Sequence, residues 1–462
     1  MTHSVLRLLT LCLLAAVLTC GCHKLLQTPA PQNEISAGEV FSSDANAQNA
    51  LAGMYIQIMN NSQSLLNGGM SLYGGLSSDE LDYESRLAAI DSFQDNSLNS
   101  KNVLCDGLYT TAYNIIFTAN SLIAGVDGST GMSASVKTEM RGEAEFVRAL
   151  VYFYLVNLYG EVPVVTTTNF AVSSVQPRAA VTAVYAQIVA DLQDAQQVLS
   201  PTYISTGTPT DRTRPNQAAA TALLARVWLY QSEWAQAEQA ADSVIVNPLY
   251  YLESELDNVF LATSREAIWQ LQPVYDSMAT AEGSLFIPPA GQRPTYTLTG
   301  WLDSSWEVGD QRRVYWTDSV IVNDAVYFYP YKYKLASNNP PNTEYDMVLR
   351  LAETYLIRAE ARAQQGNSAG AAADLNIIRQ RAGLPPTGAS SGPDLLAAIA
   401  QERRMELFSE WGHRWLDLNR TGQTVTLLGA EKKDGIQLMD ILYPIPAVEI
   451  IYNPALMQNP GY

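Results

Sequence analysis

The chain has 462 residues, with 28 Lys and Arg against 46 Asp and Glu, and a formal charge of −18; this disfavours a nucleic-acid backbone or an anionic membrane surface as the main partner. Only three His (His3, His23, His413) and four Cys (Cys12, Cys20, Cys22, Cys105) are present, a poor supply for a zinc site of about four ligands or a His-centred triad, so neither metal nor cofactor is expected. Carboxylate chemistry stays open, as does binding by the 25 Tyr and 8 Trp, whose rings join an apolar face to a polar handle.

At the N-terminus, Arg7 precedes the apolar run 8–18, which has the size of a signal-peptide core and is too short to span a bilayer. Gly21 before Cys22 then has the pattern of a bacterial lipobox, with Thr19-Cys20 as the alternative. Residues 1–21 read as a lipoprotein signal peptide, and Cys22 as the acylated first residue of a chain anchored to a membrane without crossing it. Processing there leaves Cys105 as a lone thiol.

A short Pro-containing tether follows, and then apolar residues recur at helical spacing over 45–59, 103–125, 136–159, 181–199, 218–232 and 235–246. The pattern resumes over 347–365, 369–382 and 395–411. Within 136–159, Phe146, Val147, Leu150, Val151, Tyr154, Leu155 and Leu158 form one broad face. The helix–turn–helix stretches 223–240 and 356–375 look alike, with the small residues that tetratricopeptide repeats place where helices cross. They lie far apart, so the array is expected to be interrupted.

Two irregular segments, 60–101 and 248–346, break the helical pattern. The second is rich in Pro, Gly, Asn and Tyr and holds Trp269, Trp301, Trp306 and Trp316; its stretch 320–329 alternates like a strand or hairpin. Long irregular segments on a rigid scaffold usually carry function. A sugar ring offers a C–H face for aromatic stacking and hydroxyls for polar side chains. Tyr73, Tyr83, Tyr275, Tyr296, Trp301 and Trp306 are therefore candidate ligand-binding platforms, with Asp79 and Asn339 as polar partners. Arg86, Arg265 and Arg293 are the residues from which a local basic patch for an anionic glycan would be built.

Other chemistry-bearing groups have structural explanations. Glu402, Arg403, Arg404 and Glu406 read as ion pairs between crowded helices, and His413, between Trp411 and Trp415, as a hydrogen-bonded packing histidine. Asp310 with Arg312 and Arg313 reads as a turn tied by charge pairs.

Five segments, in order along nearly the whole chain, carry a specific resemblance. They are Cys22-His23-Lys24-Leu25-Leu26 with Phe41 and Gly53-Met54-Tyr55; Arg141-Gly142-Glu143-Ala144-Glu145-Phe146 running to Tyr159-Gly160; Leu349-Arg350-Leu351-Ala352-Glu353 through Ala361; Glu402-Arg403-Arg404-Met405-Glu406 with Gly412-His413-Arg414-Trp415; and the ending Asn459-Pro460-Gly461-Tyr462. Together they resemble the SusD/RagB family of nutrient-binding outer-membrane lipoproteins. The resemblance implies one domain over 22–462, mainly α, with a tetratricopeptide-like scaffold of about four helical pairs and a loop-rich face containing short β-strands. It implies a surface-exposed lipoprotein that binds a glycan or other nutrient and delivers it, without catalysis, to a SusC-like TonB-dependent transporter. Ser409-Glu410-Trp411 before Gly412 departs from the family pattern, and no acidic run follows Cys22. The rival from another class is an exported all-α glycoside hydrolase, which needs two carboxyls about 5–9.5 Å apart in an aromatic cleft. A tetratricopeptide adaptor that binds only protein would instead bury the loop aromatics.

Overall fold

The computed structural model describes residues 36–204, 211–274, 279–337, 343–432 and 435–462; Cys22, Tyr275 and Asn339 lie outside them. Five of the ten helices named below start at a side chain that satisfies the free amides of the first turn. Ser43 opens α1 (Asp44–Met59), Asn102 opens α2 (Val103–Gly128), and α3 (Ala134–Tyr159) stops at Gly160, whose φ of 70° no β-carbon favours. Then come α4 (Val181–Val198), α5 (Gln217–Tyr230) capped by Asn216, and α6 (Trp234–Ile245). After the long insertion come α7 (Leu351–Gln364), α8 (Ser368–Arg381) capped by Asn367, α9 (Gly392–Glu406) capped by Ser391, and α10 (His413–Arg420).

Each helix packs on the next: α3 on α2 and α4, α4 on α5, α5 on α6, α6 on α7, and α7 on α8 and α9. The pairs α3/α4, α5/α6, α7/α8 and α9/α10 make the fold mainly α, with helical pairs of tetratricopeptide type. From Gly142 onward helix α3 is enclosed nearly all round, because α2 and α4 both pack on it, so Glu143, Glu145 and Arg148 are buried along with its apolar face. Arg148 accordingly meets Asp191 of α4 with two bonds of 2.8 and 2.7 Å.

The expected interruption is sequential and not spatial. Strand β2 (Ala267–Leu271) pairs antiparallel with β6 (Asp346–Arg350), from Ala267↔Arg350 to Leu271↔Asp346. This closes the neck of the insertion and lets α6 pack directly on α7. The two look-alike units are neighbours, and the buried Arg226 of α5 donates to Glu353 of α7 at 2.7 and 2.6 Å. Strand β1 (Leu81–Tyr83) pairs with β3 (Tyr296–Leu298), joining the first irregular segment to the second. The alternating stretch forms the hairpin β4 (Thr317–Val322) and β5 (Ala325–Pro330). Its two-residue turn, Asn323-Asp324, has φ of 52° and 63°, as a type I′ connection requires.

Two helix boundaries differ from expectation. Residues 347–350 belong to strand β6, since a strand buried on both faces is as apolar as a helix. Helix α9 ends at Glu406, because Ser409, Trp411 and Gly412 turn the chain with φ of 52°, 49° and 67°. That turn sits against Gly74, where an added β-carbon would lie 2.6 Å from the Gly412 Cα.

The charged helix is structural. Arg312, fully buried, meets Asp310 at 2.7 Å, Glu402 at 2.6 Å and Glu406 at 2.9 Å. Arg403 meets Asp417 at 2.7 Å, and Arg313 pairs with Asp303 and not with Asp310. His413 is buried, but its Nδ1 has no hydrogen-bond partner. Burial lowers its pKa to about 4, so it packs as a neutral ring. Cys105 is a buried free thiol beside the Tyr159 hydroxyl, and burial pushes it up to about 12. An aromatic disulfide reagent at pH 8 is expected to leave it unmodified until denaturant is added; rapid reaction in the native state would contradict this placement. Among the described residues, no helix is long and apolar enough to cross a membrane, and no cluster of His, Cys, Asp and Glu is arranged to hold a metal ion.

Candidate functional site

Where the two irregular segments meet, they enclose a cavity of about 690 Å³, within the size range of ligand pockets. One wall is the turn around Thr299–Ser304. Thr299 accepts from the Leu302 amide at 3.1 Å to start the short helix Gly300–Asp303. Its own amide donates to the Glu80 carbonyl, and its hydroxyl to the Asp79 carbonyl. This anchored turn presents Trp301, 51 % exposed, at the cavity. The facing wall carries Ser78, Asp79, Asp82, Arg86, Gln94 and Asp95. Lys432, far along the chain, ties that wall together by donating to the Leu76 and Gln94 carbonyls at 2.8 Å each.

Asp79 is the floor of the cavity. Arg414 donates to both its oxygens at 2.7 and 2.8 Å, and Arg404 lies 2.7 Å from one of them. Burial pushes this carboxyl up, but the two guanidiniums overcome that and hold it below the usual carboxylate range. Behind it, Glu80 is raised to about 8 by burial and by the Asp79 charge. Asp82, half-buried, is raised by burial against the pull of Lys432. Arg86 stands exposed on a backbone with φ of 62°, a conformation that costs a non-glycine residue strain. The cavity thus offers one flat indole face, hydroxyl groups, carboxylates as acceptors and two cations as donors. Such a mixture can both donate to and accept from a hydroxyl group.

Of the residues proposed from sequence, Trp301 and Asp79 border this cavity and the other described ones do not; the Asp79 carboxylate is itself buried and paired with two arginines, so it shapes the floor and is not free to accept from a ligand. Tyr73 is a core residue: its ring stacks on Phe93 at 4.4 Å and its hydroxyl donates to Gln63 at 3.2 Å. Tyr83 and Tyr296 are opposite residues of β1 and β3 and stack on each other at 5.4 Å, both buried. Trp306 is partly buried, edge-on to Phe408 at 5.5 Å. The three arginines are not gathered at the cavity, and Arg293 is paired with Glu84. Arg265 covers the Tyr251 ring at 4.6 Å, Arg293 covers Tyr327 at 4.4 Å, and only Arg86 lines the cavity. Gln94, Asp95, Ser304 and Lys432 went unrecognised, because nothing in their local sequence distinguishes them from any polar surface residue.

The likeness to known proteins agrees with this architecture. Residues 293–462 match the model of the SusD family, and residues 32–229 match a family described as starch-binding and associating with the outer membrane. SusD-like protein P2 of Formosa agariphila is 27 % identical over 514 residues, covering 96 % of this chain and 97 % of its own. A laminarin-binding SusD-like protein of known structure superposes with a TM-score of 0.78 at 26 % identity, covering 91 % of this chain and all of that one. Surface glycan-binding protein A from Bacteroides uniformis shares the fold, with a TM-score of 0.76 at 21 % identity over 90 % of this chain and 99 % of its own. The matched families, the near full-length relatives and the helical-pair scaffold lead to one conclusion: this chain belongs to the SusD/RagB family.

Proposed function

We propose that this protein binds a glycan in the cavity between Trp301 and Asp79 and passes it, without catalysis, to a SusC-like TonB-dependent transporter. In this reading it sits on the outer-membrane surface, held by a lipid on Cys22. The observation that carries the reading is the exposed indole of Trp301, fixed by the Thr299 cap over a cavity otherwise lined with hydroxyl, carboxylate and cationic groups. A sugar ring stacked on that face would place its hydroxyls against Asp82, Asp95, Arg86 and Lys432. The lipid would keep carrier and transporter at high effective concentration. Asp79, the carboxyl at the floor, is neutralised by two arginines and unsuited to proton transfer; Asp82 and Asp95 also line the cavity, so product analysis decides between binding and hydrolysis.

The test is calorimetric titration against a glycan panel beginning with laminarin oligosaccharides, with product analysis alongside. One member is expected to bind with no cleavage, and Trp301→Ala to weaken it about tenfold or more, equivalent to about 1.4 kcal/mol. Released oligosaccharide products, or unchanged affinity in the Trp301 variant, would overturn the reading.

A further inference from the structure

Within the sugar cavity, Asp82 and Gln94 share one wall and carry hydrogen-bonding capacity that the fold does not use. The neighbours of Asp82 on β1, Leu81 and Tyr83, are buried at 0 % and 8 % exposure, so strand alternation turns the Asp82 side chain the other way, to the cavity. Half-buried there, its carboxylate makes no hydrogen bond or ion pair among the described residues. Gln94 is fixed beside it. The Tyr83 amide donates to Gln94 Oε1 at 2.6 Å, and Lys432 donates to the Gln94 carbonyl at 2.8 Å. Because the amide N–H needs an acceptor, the carboxamide oxygen faces the strand and leaves its NH2 group to the cavity.

The other polar groups of the wall are engaged. The Ser78 hydroxyl donates to the Gly75 carbonyl at 3.0 Å and the Ser304 hydroxyl to the Trp301 carbonyl at 3.1 Å. Asp79 is held by its two arginines, and the Lys432 ammonium by two backbone carbonyls. Arg86 and Asp95 also line the cavity, but both are exposed and of opposite sign, so solvent screens them. The open capacity of the sheltered wall is thus one carboxylate acceptor next to one amide donor.

We propose that Asp82 and Gln94 make this cavity selective for a neutral glycan, with a ligand hydroxyl donating to the Asp82 carboxylate and accepting from the Gln94 amide. The inference rests on the reading that a glycan occupies this cavity. A hydroxyl uses both partners at once, since it donates and accepts. A uronate or sulfate group has only acceptors, so it would leave Asp82 unpaired and set a second negative charge beside it. An ammonium group, as on an amino sugar, has only donors; it would satisfy Asp82 but leave the Gln94 NH2 group without a partner once the ligand shuts out water. Both wall groups are in place before the ligand arrives, so little ordering entropy opposes binding.

The test is calorimetric titration of the full chain with laminarihexaose, maltohexaose and cellohexaose, each beside its C6-carboxylated derivative, and with a chitosan hexamer as the cationic probe. At least one neutral hexaose is expected to bind at least tenfold more tightly than its carboxylated derivative and than the chitosan hexamer. Asp82→Asn should weaken the neutral glycan at least about tenfold, as loss of a hydrogen bond to a charged group does, and narrow its preference over the carboxylated one. Gln94→Glu keeps the acceptor for Tyr83 but replaces the donor by a charge, so it should also weaken the neutral glycan and widen that preference. These opposite movements separate selection from general damage, and either variant alone tests the proposal if the other does not fold. A carboxylated or chitosan oligomer bound as tightly as the neutral one, an unchanged preference in a folded variant, or a glycan cleavage that Asp82→Asn abolishes would overturn it. Neutral binding that Trp301→Ala weakens, with preferences unmoved by the wall variants, rejects this inference and leaves the sugar cavity standing; no binding of any member rejects both.

Discussion

Replacing Arg350 by Met is expected to cost about 3–5 kcal/mol of folding stability, the usual loss when one member of a buried charge cluster is removed. Arg350 sits where β6 runs into α7, its side chain 2 % exposed. It donates to Glu410 at 2.8 Å, to the Glu406 carboxylate at 2.6 Å and to Glu266 at 3.0 Å. It also reaches the Glu406 carbonyl at 2.8 Å. Glu266 opens the insertion beside β2, and Glu406 and Glu410 belong to the end of α9 and the turn after it, so one guanidinium joins the insertion to the scaffold. Arg312, Arg381 and Lys332 complete the cluster, and Lys332 also rests 4.0 Å from the Phe408 ring centroid. In the variant, those three cations face carboxylates whose best partner is gone, at a site where every charged side chain is buried.

Two controls give this prediction its edge. Arg350→Lys keeps the charge but loses the planar fork that serves three carboxylates at once, so it should fall between wild type and Met. Arg313→Met removes a pair with Asp303 in which the side chains are 44 % and 31 % exposed; its effect should stay within about 1 kcal/mol. Equilibrium denaturation of the three variants is the measurement. An Arg350→Met protein as stable as wild type would show that the cluster contributes nothing beyond its desolvation cost.

The helical scaffold was legible in the sequence because a long apolar period has few alternative explanations, and α2, α3 and α4 lie close to where their spacing placed them. The boundaries that moved are those where tertiary contacts overrule a local pattern. Residues 347–350 continue the apolar character of α7, and only pairing with β2 makes them a strand. The turn at Ser409 and Trp411 takes positive φ at residues that do not advertise it, so the apolar spacing of α9 runs on past the helix end. The binding residues show the same limit. Tyr73, Tyr83, Tyr296 and Trp301 are equivalent in sequence, all aromatic and all in irregular segments. Burial separates them, and burial depends on partners far along the chain: Phe93 covers Tyr73, β1 and β3 cover each other's tyrosines, and Trp301 stays half exposed. Lys432 reaches the cavity from the end of a late helix, a placement no local motif encodes.

Stability is expected to fall as pH rises from about 5 to 8, and Glu80→Gln to reduce that fall. Glu80 is 1 % exposed, one oxygen accepts the Ser409 amide at 3.2 Å, and the other has no hydrogen-bond partner. Its folded pKa of about 8 lies well above the ordinary value of 4.5, through burial and the neighbouring Asp79 charge. The folded state therefore holds a proton that the unfolded chain releases between those values. Its stabilisation is complete below the unfolded pKa and is lost as pH rises through the folded one. The slope for one such group approaches about 1.4 kcal/mol per pH unit. Glu282, raised to about 7 by burial, acts in the same direction. His413 acts oppositely, since its folded pKa of about 4 makes the fold gain stability as pH rises through 4 to 6.5; the net fall should thus be clearest above pH 6.5. Glutamine supplies the same acceptor to Ser409 and cannot ionise, so the variant should match wild type below about pH 5 apart from a constant offset and exceed it relatively at pH 8.5. Denaturant unfolding at half-unit pH steps reads this directly. Parallel curves for the two proteins would place the titrating group elsewhere, and Glu282→Gln would then be the next variant to measure.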